Sequence, residues 1–119
     1  MKIVITAQDK GLDAEVDPRF GRAKCLTIIE TDNRDIEYID NTENMNASQG
    51  AGIQAAKIIA EAGAKALITG NVGPKAFTAL NSAGVDIFTG AAGSVENALE
   101  KYLKGELNKA EGANVEGHW

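Results

Sequence analysis

Cysteine occurs once in the chain, at Cys25, and histidine once, at His118. No disulfide can therefore form within it, and no Cys/His set at metal-ligand spacing exists. A Cys–His catalytic pair would have to bring the penultimate residue back onto a strand, which leaves nucleophilic catalysis with little support. Aromatic residues make up only 5% of the 119, so the core must be Ile, Leu, Val and Ala. No apolar run approaches the length of a membrane-spanning helix. Met1-Lys2-Ile3-Val4-Ile5-Thr6 enters a strand pattern at once, without the apolar segment and cleavage site of a secretory signal, so the expected location is cytoplasmic, with no membrane partner. Basic residues are also short, 12 against 17 acids for a net charge of −5. Duplex nucleic acid is held mainly by Lys and Arg on phosphates, and no basic cluster breaks the acidic excess. A nucleic-acid partner is not expected. A local anion site remains open, because backbone amides need no net positive charge.

What is present is the balance of one globular domain, with 44% apolar and 24% charged residues. Ile3-Val4-Ile5 is a short apolar run that suits a strand buried on both faces. Ala23–Glu30 and Ile36–Asp40 read as two further strands, joined as a hairpin by the turn residues Thr31-Asp32-Asn33-Arg34-Asp35. Residues 41–49 are polar and aperiodic, a loop. From Gly50 a helix is predicted with Ile53, Ala56, Ile59 and Ala60 on its buried face, ending at Gly63. Ala66–Thr69 is the fourth strand. Gly73-Pro74 opens a second helix that buries Ala76, Phe77 and Leu80. Val85–Phe88 is the fifth strand, and Ser94 N-caps a third helix with the stripe Val95, Ala98, Leu99, Tyr102 and Leu103. On that helix Glu100 and Lys104 form an i,i+4 pair.

The order β-β-β-α-β-α-β-α ends in alternating strands and helices, which requires parallel strands joined by right-handed crossovers. The expectation is a single α/β domain over residues 1–107 with a mixed five-stranded sheet. Strands one, four and five would be parallel and central, and the hairpin partly antiparallel on one side. Residues 108–119 carry no core pattern and are expected as a flexible tail.

The chemistry points to binding. Thr69-Gly70-Asn71-Val72-Gly73 and Thr89-Gly90-Ala91-Ala92-Gly93 each join the carboxyl end of a parallel strand to a helix start, and Gly50-Ala51-Gly52 heads another helix. Ligands of open α/β sheets bind outside the strands' carboxyl ends. Helix starts there offer unpaired N–H groups and partial positive charge, and glycines let a ligand come close to the backbone. The candidate ligand-binding residues are therefore Gly50, Gly52, Gly70, Asn71, Gly73, Gly90, Ala91, Gly93 and Ser94. To these the loop Asp17-Pro18-Arg19-Phe20-Gly21-Arg22 adds Arg19 and Arg22 as anion-binding guanidiniums, Phe20 as an apolar wall, and Gly21. The competing reading makes these glycines plain βα turns, pairs Arg19 with Asp17 and puts Phe20 in the core.

Gly50-Ala51-Gly52-Ile53-Gln54-Ala55 matches the dinucleotide fingerprint in letters, but a polar loop precedes it and no acid lies about twenty residues on. No nicotinamide or flavin is expected. For metals the chain offers Cys25 and Met45 as soft ligands and His118 as an imidazole, so any metal would be held as a preformed cluster. The acids lie in loops (Asp9, Asp13, Asp17) or on exposed helix faces (Glu61, Glu96, Glu100), which argues against paired-carboxylate catalysis.

At these residues the sequence resembles the dinitrogenase iron–molybdenum cofactor biosynthesis family. The resemblance rests on M-K-I-V-I-T, on D-P-R-F-G-R-A (17–23) and on G-A-G-I-Q-A-A (50–56). It continues in I-T-G-N-V-G-P-K-A-F (68–77) and G-A-A-G-S-V-E-N-A-L (90–99), in that order and spacing. It implies a ribonuclease-H-like fold and a role in binding or carrying iron–molybdenum cofactor, its precursors or other molybdenum-containing metal–sulfur clusters. Cluster-assembly or cofactor-acceptor proteins would be the partners. The radical-chemistry domain and extra cysteines of some relatives are missing. Thr6 and Ala7 stand where a nuclease of that fold would need an acid. The leading expectation is thus a non-enzymatic carrier of an anionic metal–sulfur species. The alternative is a regulatory or interaction domain that binds a phosphorylated metabolite or a protein partner.

Overall fold

A computed structural model describes residues 1–47 and 50–115. The elements are β1 (Lys2–Ala7), β2 (Cys25–Glu30), β3 (Ile36–Asp40), α1 (Thr42–Met45), α2 (Ala51–Glu61), β4 (Ala64–Ile68), α3 (Pro74–Ser82), β5 (Asp86–Phe88) and α4 (Val95–Leu103). The strands form one mixed sheet in the order β3-β2-β1-β4-β5. β1 pairs antiparallel with β2 and parallel with β4, and β4 pairs parallel with β5. This is the ribonuclease-H-like arrangement expected, with one adjustment. β5 is an edge strand, while β1 and β4 are interior.

Successive strand residues point to opposite faces, and the chain fills both. Val4, Leu26, Ile28 and Leu67 pack under α2 and α3 with Ala55, Ile59, Ala76 and Leu80. Ile3, Ile5, Ile29, Ala66 and Ile68 pack under α4 with Val95, Ala98 and Leu99. Double-sided burial is why Ile3-Val4-Ile5 and Ala66-Leu67-Ile68 read as unbroken apolar runs rather than alternating ones.

The helix faces need correction in places. α2 buries Ala51, Ala55, Ala56 and Ile59, and Ile53 points outward at 42% exposed. The alanines let the helix lie close to the sheet, and the face rotates away from Ile53. Leu103 is likewise exposed, at the end of α4. Glu100 pairs with Arg34 at 3.3 Å rather than with Lys104. This ties the β2–β3 turn to α4. Within the stretch read as a loop, Thr42–Met45 forms a short helix, started where Asp40 Oδ1 accepts the Thr42 N–H at 2.9 Å.

The segment after Leu107, expected as a flexible tail, is docked as far as it is described. Ala110 N–H donates to Ile87 O at 2.7 Å, Lys109 bridges to Phe88, and Lys109 Nζ meets Asp86 Oδ1 at 2.9 Å. The reason is topological, since β5 ends the sheet and its outer backbone groups require partners. Among the described residues, no helix is long and apolar enough to cross a membrane.

Candidate functional site

Because β1, β4 and β5 are parallel, their carboxyl ends share one edge of the sheet. The loops leaving that edge are stitched together. Thr69 N–H donates to Phe88 O at 3.0 Å, Gly90 N–H to Gly70 O at 2.9 Å, and Ala91 N–H to Thr69 O at 3.1 Å. Beneath them the buried hydroxyls of Thr6 and Thr69 lie 2.8 Å apart, and Thr6 Oγ1 also donates to Asp17 O at 2.8 Å. A hydroxyl has one proton, so Thr69 must be the donor in the hydroxyl pair. Asp17 N–H returns a bond to Thr6 O at 2.9 Å. These contacts fix the loop 17–22 across the end of β1.

That loop then touches two helix starts. Phe20 N–H donates to Asn71 O at 3.2 Å, and Asn71 Nδ2 donates to Pro18 O at 2.9 Å. A Cβ on Gly70 would lie 2.6 Å from Pro18 Cα, and one on Gly21 would lie 2.7 Å from both the N and the Cα of Gly52. Backbone meets backbone at both points. The contacts bring residues 17–22, 50–52, 70–73 and 90–91 to a common rim.

The sequence candidates divide by what already occupies them. Arg19 keeps its side chain half exposed, with Nε 3.5 Å from the buried Asp17 carboxylate. Asp17 Oδ1 also accepts the Arg19 N–H at 3.0 Å. Phe20 is corrected from a wall to a core residue at 1% exposed. Full burial of such a ring stabilises by roughly 1.5–3 kcal/mol, which decides its direction. Arg22 Nη1 donates to Met45 O at 3.1 Å and to Ala47 O, so its guanidinium holds the α1 segment. Gly50 heads α2 in a left-handed conformation, and Gly73 heads α3; neither helix has a side-chain cap.

The start of α4 is closed. Val95 N–H donates to Ala14 O and Glu96 N–H to Leu12 O, both at 2.9 Å. Ser94 Oγ accepts the Asn97 N–H at 3.0 Å, and Val16 N–H takes Gly93 O at 2.8 Å. Gly93 and Ser94 are therefore engaged with the loop 12–16, and their amide neighbours are satisfied internally. Of the three helix starts expected to be open, that of α4 is therefore closed.

Among the metal candidates, Cys25 is a buried free thiol. Burial pushes its pKa up, against a smaller opposite effect of the Thr27 hydroxyl. A ligand or nucleophile has to be the thiolate, which this environment disfavours. Met45 ends α1, and His118 lies outside the described residues. Among the described residues, no three His, Cys, Asp or Glu side chains group as a metal site.

Several positions that shape the rim were not singled out in the sequence. Asn41 is buried, and its Nδ2 donates to Gly21 O at 3.1 Å and Ala23 O at 2.7 Å. Asn44 Nδ2 donates to Ala51 O at 2.9 Å. Asn114, from the docked segment, accepts the Val72 N–H on Oδ1 at 2.8 Å. The run Asn41, Asn44 and Asn46 in a stretch without apolar periodicity was the available signal, since asparagines in such segments satisfy backbone.

The model of a family described as dinitrogenase iron–molybdenum cofactor matches residues 1–105. The chain is 33% identical over 114 residues to an uncharacterized protein of Methanocaldococcus jannaschii, covering 93% of this chain and 92% of that one. Its structure is similar to the apo form of the orange protein from Desulfovibrio gigas, with a TM-score of 0.93, 42% identity and 96% of each chain covered. It is also similar to a NifB-like protein of Thermotoga solved by NMR, with a TM-score of 0.85, 29% identity and 98% of each chain covered.

Proposed function

Since the chain belongs to the dinitrogenase iron–molybdenum cofactor family across residues 1–105, we propose that it binds and carries an anionic metal–sulfur cluster or cofactor precursor, containing molybdenum or iron, at the carboxyl-end rim of its sheet. The observation that carries this reading is the convergence of the loop 17–22 on the starts of both α2 and α3, recorded where Gly21 abuts Gly52 and Gly70 abuts Pro18. A helix start presents N–H groups and partial positive charge. Among the described residues, the first-turn amides of Lys75 and Ala76 in α3 have no acceptor. Arg19 adds a half-exposed guanidinium on a residue whose backbone bridges to Asn71, in the loop that leads into α3. Such donors suit a sulfur-rich anion held whole by hydrogen bonds. They do not ligate metal, in keeping with a handling role and not a catalytic one.

Tetrathiomolybdate is the direct probe. The protein should retain molybdenum through gel filtration, and Arg19→Ala should weaken binding about tenfold, equivalent to about 1.4 kcal/mol. Inorganic phosphate, run in parallel, separates this reading from a site for phosphorylated metabolites. A protein that sheds all molybdenum but is stabilised by phosphate would refute the carrier function.

A further inference from the structure

The C-terminal segment does more than cover an edge. Leu107 packs on the α4 face of the sheet and Ala110 on the α2–α3 face. Between them the backbone passes around β5, bonded to it at Ala110 N–H and Ile87 O. Beyond Ala110 the chain reaches the loop between β4 and α3, where Asn114 makes four hydrogen bonds. Its Oδ1 accepts the Val72 N–H at 2.8 Å, its Nδ2 donates to Gly70 O at 3.2 Å and to Asn71 Oδ1 at 3.1 Å, and its N–H donates to Val72 O at 3.1 Å.

We infer that residues 107–115 form a releasable strap, with Asn114 as an internal placeholder that competes with the anionic ligand for the β4–α3 loop. The inference rests on the binding reading given above and concerns the regulation of that same site. The Val72 N–H that donates to the Asn114 side-chain oxygen is the donor an anion would take, and the two acceptors cannot hold it at once. The strap is also held by contacts that open easily. Residues 111–113 are exposed, and the Lys109–Asp86 pair lies at the surface with both side chains more than half exposed, where such pairs contribute little. Few buried apolar contacts and solvent-exposed hydrogen bonds mark the segments that unfold locally first. A closed strap reduces the competent fraction of the protein, and apparent affinity falls by that fraction.

The test uses the full chain with tetrathiomolybdate as the titrant. Asn114→Ala removes the placeholder. Lys109→Glu sets like charges against Asp86 and loosens the strap at β5 without altering Asn114. Both variants should bind about three- to tenfold more tightly than the wild type. In the wild type, saturating tetrathiomolybdate should speed hydrogen exchange at the Ala110 amide while Val72 stays protected. Equal affinity in all three proteins, or weaker binding by Asn114→Ala, overturns the strap and leaves the carrier reading standing. Absence of binding by every protein overturns both.

Discussion

Two glycines on the rim are required for different reasons, and single substitutions separate them. Gly70 has an ordinary backbone conformation, but a Cβ there would sit 2.6 Å from Pro18 Cα and 2.9 Å from its carbonyl oxygen. Neither atom is the free end of a side chain, so the loop 17–22 must move. Overpacking of this kind costs typically about 1–3 kcal/mol. Gly50 has open space around its missing Cβ, but its φ is +77°, and a left-handed conformation costs a non-glycine residue about 1–2 kcal/mol. Gly70→Ala should therefore lower the urea midpoint and also abolish tetrathiomolybdate retention. Gly50→Ala should lower the midpoint alone, leaving the rim assembled. Equal loss of binding in both would mean that the close approach at Gly70 does not position the rim.

Cys25 supplies a pH signature at the same scale. Its pKa is raised in the folded state by burial, so the folded protein holds the thiol proton after the unfolded chain has released it. Where the folded state binds more protons, stability falls as pH rises. The contribution is complete below the unfolded thiol's pKa and is lost as pH climbs from there towards the folded value. Unfolding free energy measured from about pH 8 to 10 should decline, and Cys25→Ala should flatten that decline. A slope unchanged by the substitution would assign it to other groups, Tyr102 among them, whose pKa burial also raises.

At the scale of elements, the helix starts are not equivalent. α4 has a serine cap and two first-turn amides bonded to the loop 12–16, so it is closed to ligands and exists to hold that loop. Removing an N-cap hydroxyl costs about 0.5–2 kcal/mol. Ser94→Ala should accordingly reduce stability by that amount while tetrathiomolybdate affinity stays unchanged. A large loss of affinity would place α4 in the site after all. The strands and the three long helices were legible in the sequence because burial imposes period and composition on them, as in the Ile3-Val4-Ile5 run and the Val95-Ala98-Leu99 stripe. The closure of α4 was not legible. It depends on the carbonyls of Leu12 and Ala14, and every residue type carries that group. The role of Asn114 was hidden for a related reason, since its partners, mostly backbone atoms, lie more than forty residues away. Phe20 shows the limit from the other side. Its neighbours Arg19, Gly21 and Arg22 are polar or small, so local context read it as exposed, and only the tertiary fold supplies the core beneath it.

At the scale of the whole molecule, charge opposes the proposed cargo. The chain carries a net charge of −5 on a body whose Cα radius of gyration is 12.4 Å, and tetrathiomolybdate is a dianion. At about 10 mM salt the screening length is roughly 30 Å, longer than the molecule's radius, so the approaching anion meets the net repulsion. At about 150 mM it is roughly 8 Å, and only the rim's own donors are felt. Association should then quicken a few-fold as salt is raised over that range, the reverse of what a phosphate-binding basic surface shows. Dissociation should change much less, since it depends on hydrogen bonds made at contact. Stopped-flow mixing with tetrathiomolybdate at the two salt levels measures both rates. An association rate that fell with salt would mean that Arg19 and the open helix starts project a positive field beyond the rim, strong enough to outweigh the acidic excess of the chain. Arg19→Ala would then reverse the salt dependence, whereas under net repulsion it leaves the sign unchanged.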